Sequence, residues 1–196
     1  MTYYIVGLGN PGEEYVYTRH NTGRIILEQV RKHLSFSEWT FNKKLNALVS
    51  EGKVGKDSIV FILPETFMNG SGKSVAPLVG SVKKAEKLVV VHDEIDLPLG
   101  KMKIVFGRGS GGHRGVESIM KSIKTKDFVR IRVGISAQTP GGKLKKPKGE
   151  EKVVGLILGA FKDSELLVLK KIARTVEKVV RVIAKDGRER AMNEFN

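Results

Sequence analysis

The sequence has no cysteine among its 196 residues, which excludes disulfides, thiol nucleophiles and thiolate metal sites. Histidine is scarce too: there are four, with no His-x-x-x-His pair, so a zinc site is disfavoured. No apolar run approaches the roughly 18 residues of a membrane helix. The opening Met1-Thr2-Tyr3 leads into a strand and not into a signal peptide. The expectation is a cytoplasmic protein with no membrane association. No internal repeat is visible and no linker divides the chain, so residues 1–196 are expected to form one domain. Acidic residues are in deficit: 21 Asp+Glu stand against 35 Lys+Arg, a net charge of +14. Such an excess points to a polyanionic partner, although charge alone does not separate RNA from DNA or an anionic membrane. With 40% hydrophobic and 29% charged residues, the remaining composition is that of an ordinary globular protein.

What is present is concentrated at the start. Tyr3 to Val6 is an apolar run that ends in Gly7, Gly9 and Gly12, with Asn10 and Pro11 between them and His20-Asn21 shortly after. A buried strand feeding a tight glycine turn is the C-terminal edge of an α/β sheet, where such folds place ligands. Histidine is the side chain that takes and returns a proton near neutrality. The glycine spacing also fits a dinucleotide loop, but Glu13 and Glu14 would repel a pyrophosphate. No strand with a terminal acidic residue follows at the distance where a ribose partner belongs.

Along the chain, Thr22 reads as the N-cap of a helix through Leu34, with Ile25, Ile26 and Val30 in its apolar stripe. Residues Ser35 to Leu45 read as irregular, with Trp39 and Phe41 in the core. Ala47 to Val54 and Ser58 to Leu63 read as a strand pair. The segment PETFMNGSGKS ends in a string suggestive of a phosphate loop, but Phe67 stands where that motif needs glycine. Leu88 to Val91 is a fully apolar strand of central parallel type, and it runs into His92-Asp93-Glu94-Ile95-Asp96. Ionisable groups at the end of a buried strand mark a site. The preferred role is an Asp carboxylate orienting an imidazole, with magnesium held by carboxylates left open.

Lys101 to Phe106 reads as a strand, and GRGSGGHRG then suggests a mobile loop or a phosphate nest before a helix from about Val116 to Ile123. Phe128 to Gly134 is a strand with its arginines on one face. The segment Thr139 to Glu150 has the composition of a flexible basic loop suited to phosphate contact. Val153 to Leu158 is short and apolar. Asp163 begins the last long helix, with Leu166, Leu167, Leu169, Ile172, Val176 and Val179 assigned to the core.

Taken together and in this order, GLGNPG, TRHN, FMNGSGKS, HDEIDLPLG, GGHRG and the ending AMNEFN resemble the bacterial peptidyl-tRNA hydrolases. The likeness runs over essentially the whole chain. It implies a single-domain three-layer α/β/α sandwich with a mixed, mostly parallel twisted sheet. It also implies a monomer that works without cofactor or metal on peptidyl-tRNA, cutting the ester between peptide and tRNA 3′ end. By the resemblance His20 is the general base and Asp93 keeps it oriented. Asn10 senses the blocked α-amino group, and Asn69 positions substrate and helps hold the oxyanion. Tyr15, Phe67, Met68 and His113 line the groove for the tRNA end and peptide, while Lys103 and Arg132 are candidates for phosphate contact.

Two positions depart from the family pattern. Arg114 stands where asparagine is usual, replacing a donor–acceptor with a donor of fixed charge that is expected to bind substrate by gripping the terminal phosphate or the ester carbonyl. Val105 stands where a second basic residue is frequent. Arg114 and the high positive charge motivate an alternative, an RNA-binding adaptor on the same fold, similar to organellar splicing factors. A third class, nucleoside or nucleotide hydrolysis, would need a closed purine pocket.

Overall fold

The computed structural model describes residues 1–196, except for the side chains of Val82 and Lys83. Its centre is made by the apolar runs seen in the sequence. Strand β1 (Thr2–Gly7) lies between β4 (Asp57–Pro64) and β5 (Leu88–Pro98) and is parallel to both. With β2 (Thr40–Asn42), β3 (Ala47–Val54), β6 (Met102–Phe106) and β7 (Val129–Ser136), they form one seven-stranded sheet in the order β2-β3-β4-β1-β5-β7-β6. The pairs β2/β3, β3/β4 and β6/β7 are antiparallel, so the sheet is mixed with a parallel centre. Side chains alternate across β5: Val89 and Val91 enter one apolar core, Leu88 and Val90 the other.

Helices cover both faces. On the Val89/Val91 side lie α1 (Thr22–Leu34), α6 (Asp163–Asp186) and α7 (Arg188–Phe195). The opposite side carries α2 (Ser71–Val75) and α4 (Arg114–Ile123), with the short α3 (Val82–Ala85) between α2 and β5 in sequence. Helix α5 (Glu150–Leu158) is set apart and lies over the ends of the central strands. This is the expected α/β/α sandwich.

One close approach fixes the site end of the sandwich. A Cβ on Gly7 would lie 2.6 Å from the carbonyl oxygen of Gly23, and one on Gly23 would lie 2.3 Å from that of Val91. The first turn of α1 therefore rests directly on the backbone of β1 and β5, a contact only glycine permits. Close packing, and not pyrophosphate binding, accounts for Gly7.

Several local expectations are corrected. The N-cap of α1 is Asn21, and the Thr22 hydroxyl instead donates to the Arg19 carbonyl at 2.7 Å. Phe41 is 58% exposed because β2 is a short edge strand with its residues in solvent. Trp39 does pack against the core, its Nε1 donating to Glu28 at 2.6 Å. Leu167 is 58% exposed, whereas Leu169, Ile172, Val176 and Val179 are buried. Val153 to Leu158 lies within α5.

Candidate active site

The strand ends and the turns that follow them converge on one cleft. Past β1 the chain delivers Asn10, whose backbone is held by a neighbour: its N–H donates to Asn21 Oδ1 at 2.8 Å, and Asn21 Nδ2 donates to its carbonyl at 2.9 Å. Asn10 Oδ1 accepts the Met68 N–H at 2.8 Å. That bond fixes the orientation of the amide, so its NH2 is the free end, with no partner among the described residues.

His20 sits on a single 3-10 turn, Arg19–Asn21, that leads into α1. The turn is anchored by Arg19, whose guanidinium grips Glu165 of α6 at 2.8 and 3.0 Å and stacks 4.7 Å above Phe161. The Arg19 N–H also donates to the Gly159 carbonyl at 3.0 Å, pinning the end of α5 to the same turn. His20 is thereby held with Nδ1 at 2.9 Å from Asp93 Oδ1 on β5.

Asp93 has a second imidazole. His113 Nε2 lies 2.9 Å from the same Oδ1, and its Nδ1 accepts the Val116 N–H at 3.3 Å as the N-cap of α4. The helix amide dictates the tautomer: Nδ1 is an acceptor, so Nε2 carries the proton that points at Asp93. His92 is fixed in the same way. Its Nδ1 donates to the Asp93 carbonyl at 2.7 Å, which leaves Nε2 as an acceptor facing Arg130 Nη1 at 3.5 Å.

Electrostatics follow from this wiring. Burial opposes ionisation of Asp93, but the imidazoles of His20 and His113 together outweigh it and hold the carboxyl well below the usual carboxylate range. For His92, burial comes first, and His113 and Arg130 add to it, so its pKa falls well below 6.5 despite Asp93. Burial, followed by the neighbouring Arg132, also lowers the pKa of Arg130.

The cleft measures about 410 Å³. It gathers Asn10, His20, Phe67, Met68, Asn69, Asp93, His113 and Arg114, with Val153, Val154, Ile157 and Leu158 of α5 as an apolar wall. Asn69 is exposed, and its side-chain amide has no hydrogen-bond partner among the described residues. Tyr15 stands outside the cleft lining and meets it edge-on through Phe67, ring centroids 6.3 Å apart. Arg114 is at the mouth, where its Nη2 donates to Glu150 Oε1 at 2.7 Å, tying the GGHRG loop to the start of α5. It is thus already paired, and not an unattached cation.

Lys103 and Arg132 fall elsewhere. They line a second cavity of about 440 Å³ together with Arg108 and Arg130, and the two cavities share Glu94 and Gly111 as a common wall. Glu94 Oε2 accepts from Arg132 Nε at 2.7 Å. In the basic loop, Lys146 pairs with Asp96 at 2.5 Å.

The donor atoms of His20, Asp93 and His113 lie within 4.8 Å of one another, a spacing a divalent ion could use. In the arrangement described, however, the His20 and His113 nitrogens facing Asp93 bear protons. The carboxylates of Glu94 and Asp96 are engaged by Arg132 and Lys146, so the acidic run is no shared magnesium cage. Two features escaped the sequence reading: His113 as a second donor to Asp93, and Asn21 as the clamp of Asn10. A histidine directly before a helix is a possible cap, which is the only signal the first offered.

A buried carboxylate orienting an imidazole, with free amides and no side-chain nucleophile beside it among the described residues, is a set of groups that hydrolysis by an activated water could use. The model of the family described as Peptidyl-tRNA hydrolase matches residues 4–196, and the chain belongs to that family. Among relatives, it is 36% identical over 193 residues to the peptidyl-tRNA hydrolase of Syntrophotalea carbinolica, covering 98% of this chain and 95% of the other. It is 39% identical over 180 residues to that of Aquifex aeolicus, covering 91% and 86%. The crystal structure of peptidyl-tRNA hydrolase from Acinetobacter baumannii superposes with a TM-score of 0.86 at 30% identity, covering 100% of this chain and 94% of the other. Among the described residues, no helix is long and apolar enough to cross a membrane.

Proposed function

We propose that the chain hydrolyses the ester joining a peptide to the 3′ end of tRNA, recycling tRNA from peptidyl-tRNA released by stalled ribosomes. It does so as a cytoplasmic monomer. The observation that carries the mechanism is the 2.9 Å contact between His20 Nδ1 and Asp93 Oδ1 at the floor of the cleft. With Nδ1–H committed to the carboxylate, His20 Nε2 is the lone-pair nitrogen available to take a proton from water. Water attacks the ester carbonyl, and Asp93 stabilises the imidazolium that forms. That proton is then returned to the leaving 3′ oxygen. The unengaged amide of Asn69 meets the developing oxyanion.

The free Nδ2 of Asn10 favours a substrate that offers a carbonyl beside the ester, as a peptide does. An aminoacyl ester would bring an ammonium to this donor, which cannot accept from it. The apolar wall of α5 and the faces of Phe67 and Met68 receive the peptide without reading its sequence. Lys103 and Arg132 hold a terminal phosphate of the tRNA in the second cavity.

The test is release of labelled peptide from peptidyl-tRNA by purified protein. His20→Ala is expected to lower kcat by roughly 10³–10⁴, at the upper end of what a positioned acid–base group supplies. Equal rates would remove His20 from the mechanism. Tight tRNA binding without any turnover in the wild type would favour the adaptor.

A further inference from the structure

His92 is a buried imidazole for which the mechanism above has no use. It lies in a file that runs from one cavity to the other. Arg130 Nη1 is 3.5 Å from His92 Nε2, the His92 and His113 rings meet edge-on with centroids 4.6 Å apart, and the His113 ring is 5.0 Å from that of His20. The far end of the file is unusual. Arg130 is 3% exposed, lines the basic cavity and has no carboxylate partner among the described residues; its Nη2 donates to the carbonyls of Gly109 at 2.6 Å and Arg108 at 3.4 Å. Buried charges are ordinarily paired. Here Glu94, the acidic side chain in the cavity lining, is occupied by Arg132. An anion entering the cavity would supply the missing partner.

We propose that His92 is a positioning residue through which an anion in the basic cavity tightens the catalytic cluster. The anion fixes the Arg130 guanidinium, and Arg130 then holds His92 through Nε2. The ring of His92 in turn holds His113 against Asp93, the carboxylate that orients His20. The proposal rests on the phosphate role given above to this cavity. It adds that the phosphate acts on turnover as well as on binding.

The experiment compares one N-blocked aminoacyl-tRNA with and without its terminal phosphate. In the wild type, removing the phosphate should raise KM and also lower kcat by roughly three- to tenfold, the scale of a small loss of catalytic geometry. In His92→Phe, which keeps a ring but removes both nitrogens, the KM difference should remain while kcat becomes the same for both substrates. A wild-type kcat indifferent to the phosphate, or a variant that keeps the wild-type kcat ratio, overturns the proposal. A second measurement needs neither turnover nor a core substitution: imidazole ¹⁵N resonances followed during titration with inorganic phosphate. His92 and His113 should shift together in the wild type, and far less at the same phosphate concentration in Arg132→Gln. Resonances that do not move, or that move equally in Arg132→Gln, overturn the link. If neither substrate is cleaved, the functional reading fails and the titration alone decides this one.

Discussion

The two cavities share Glu94 and Gly111 but are built on opposite electrostatic plans. In the cleft the buried ionised carboxylate, Asp93, is satisfied: two imidazole N–H groups converge on its Oδ1, and His92 donates to its backbone. Beyond the shared wall, Arg108, Arg130, Arg132 and Lys103 face a single acidic side chain among the described residues, that of Glu94. The first region is finished before substrate arrives, as catalysis by preorganised groups requires. The second is incomplete without an anion, as a phosphate-binding surface should be. The proposed function gives chemistry and grip to adjoining regions, and each substitution below tests whether they are separable.

The largest effect is expected at the shared carboxylate. Asp93→Ala should slow peptide release by roughly 10²–10⁴ with little change in tRNA affinity, because the phosphate cavity is untouched. Parallel loss of binding, measured by filter retention at several salt concentrations, would erase the distinction between the regions. Acid stability comes next. His92 is kept neutral by burial, with a pKa well below 6.5, so below that pH the unfolded chain takes up a proton that the folded chain refuses. Stability therefore rises with pH through that window and falls on acidification below it. Asp93, held low, adds a further loss only as pH drops below its unfolded value of 3.8. Denaturant melts of His92→Phe should show a flatter profile between pH 5 and 7; an unchanged slope would place the titration elsewhere.

A smaller effect is expected on the basic side. Arg132→Gln should raise KM about tenfold, lower the slope of log affinity against log salt by about one and leave kcat within tenfold. A collapse of kcat to the level of Asp93→Ala would show that grip and chemistry are one device. The smallest change belongs to the mouth. Arg114 and Glu150 are both exposed, at 67% and 78% of their side chains, and exposed pairs of this kind contribute little. Arg114→Asn should leave turnover comparable or somewhat higher; complete loss would give that arginine a necessary role of its own.

Much of this division was legible in the residues. The apolar run Leu88–Val91 and the acidic string after it announced a central strand ending in a site, and α1 ends at Leu34 as its stripe suggested. His20, Asn10, Asn69 and Asp93 do meet in one cleft. What stayed hidden depends on contacts made only in three dimensions. His113 reads as a wall residue until α4 takes its Nδ1 and turns the other nitrogen onto Asp93. Arg114 reads only as a donor of fixed charge, because its partner Glu150, 36 residues away, is brought beside it by α5. Phe41 reads as core because composition does not reveal that its strand lies at the edge of the sheet.

The backbone contact between positions 7 and 23 limits how this scaffold can be altered. With no room for even a methyl group where α1 crosses the sheet, the helix that follows the base and the strand that carries the acid are welded into one frame. Any remodelling toward larger or differently shaped esters has to be carried by α5 and the loops at the rim, since sliding α1 would separate the base from its carboxylate before it enlarged the cleft.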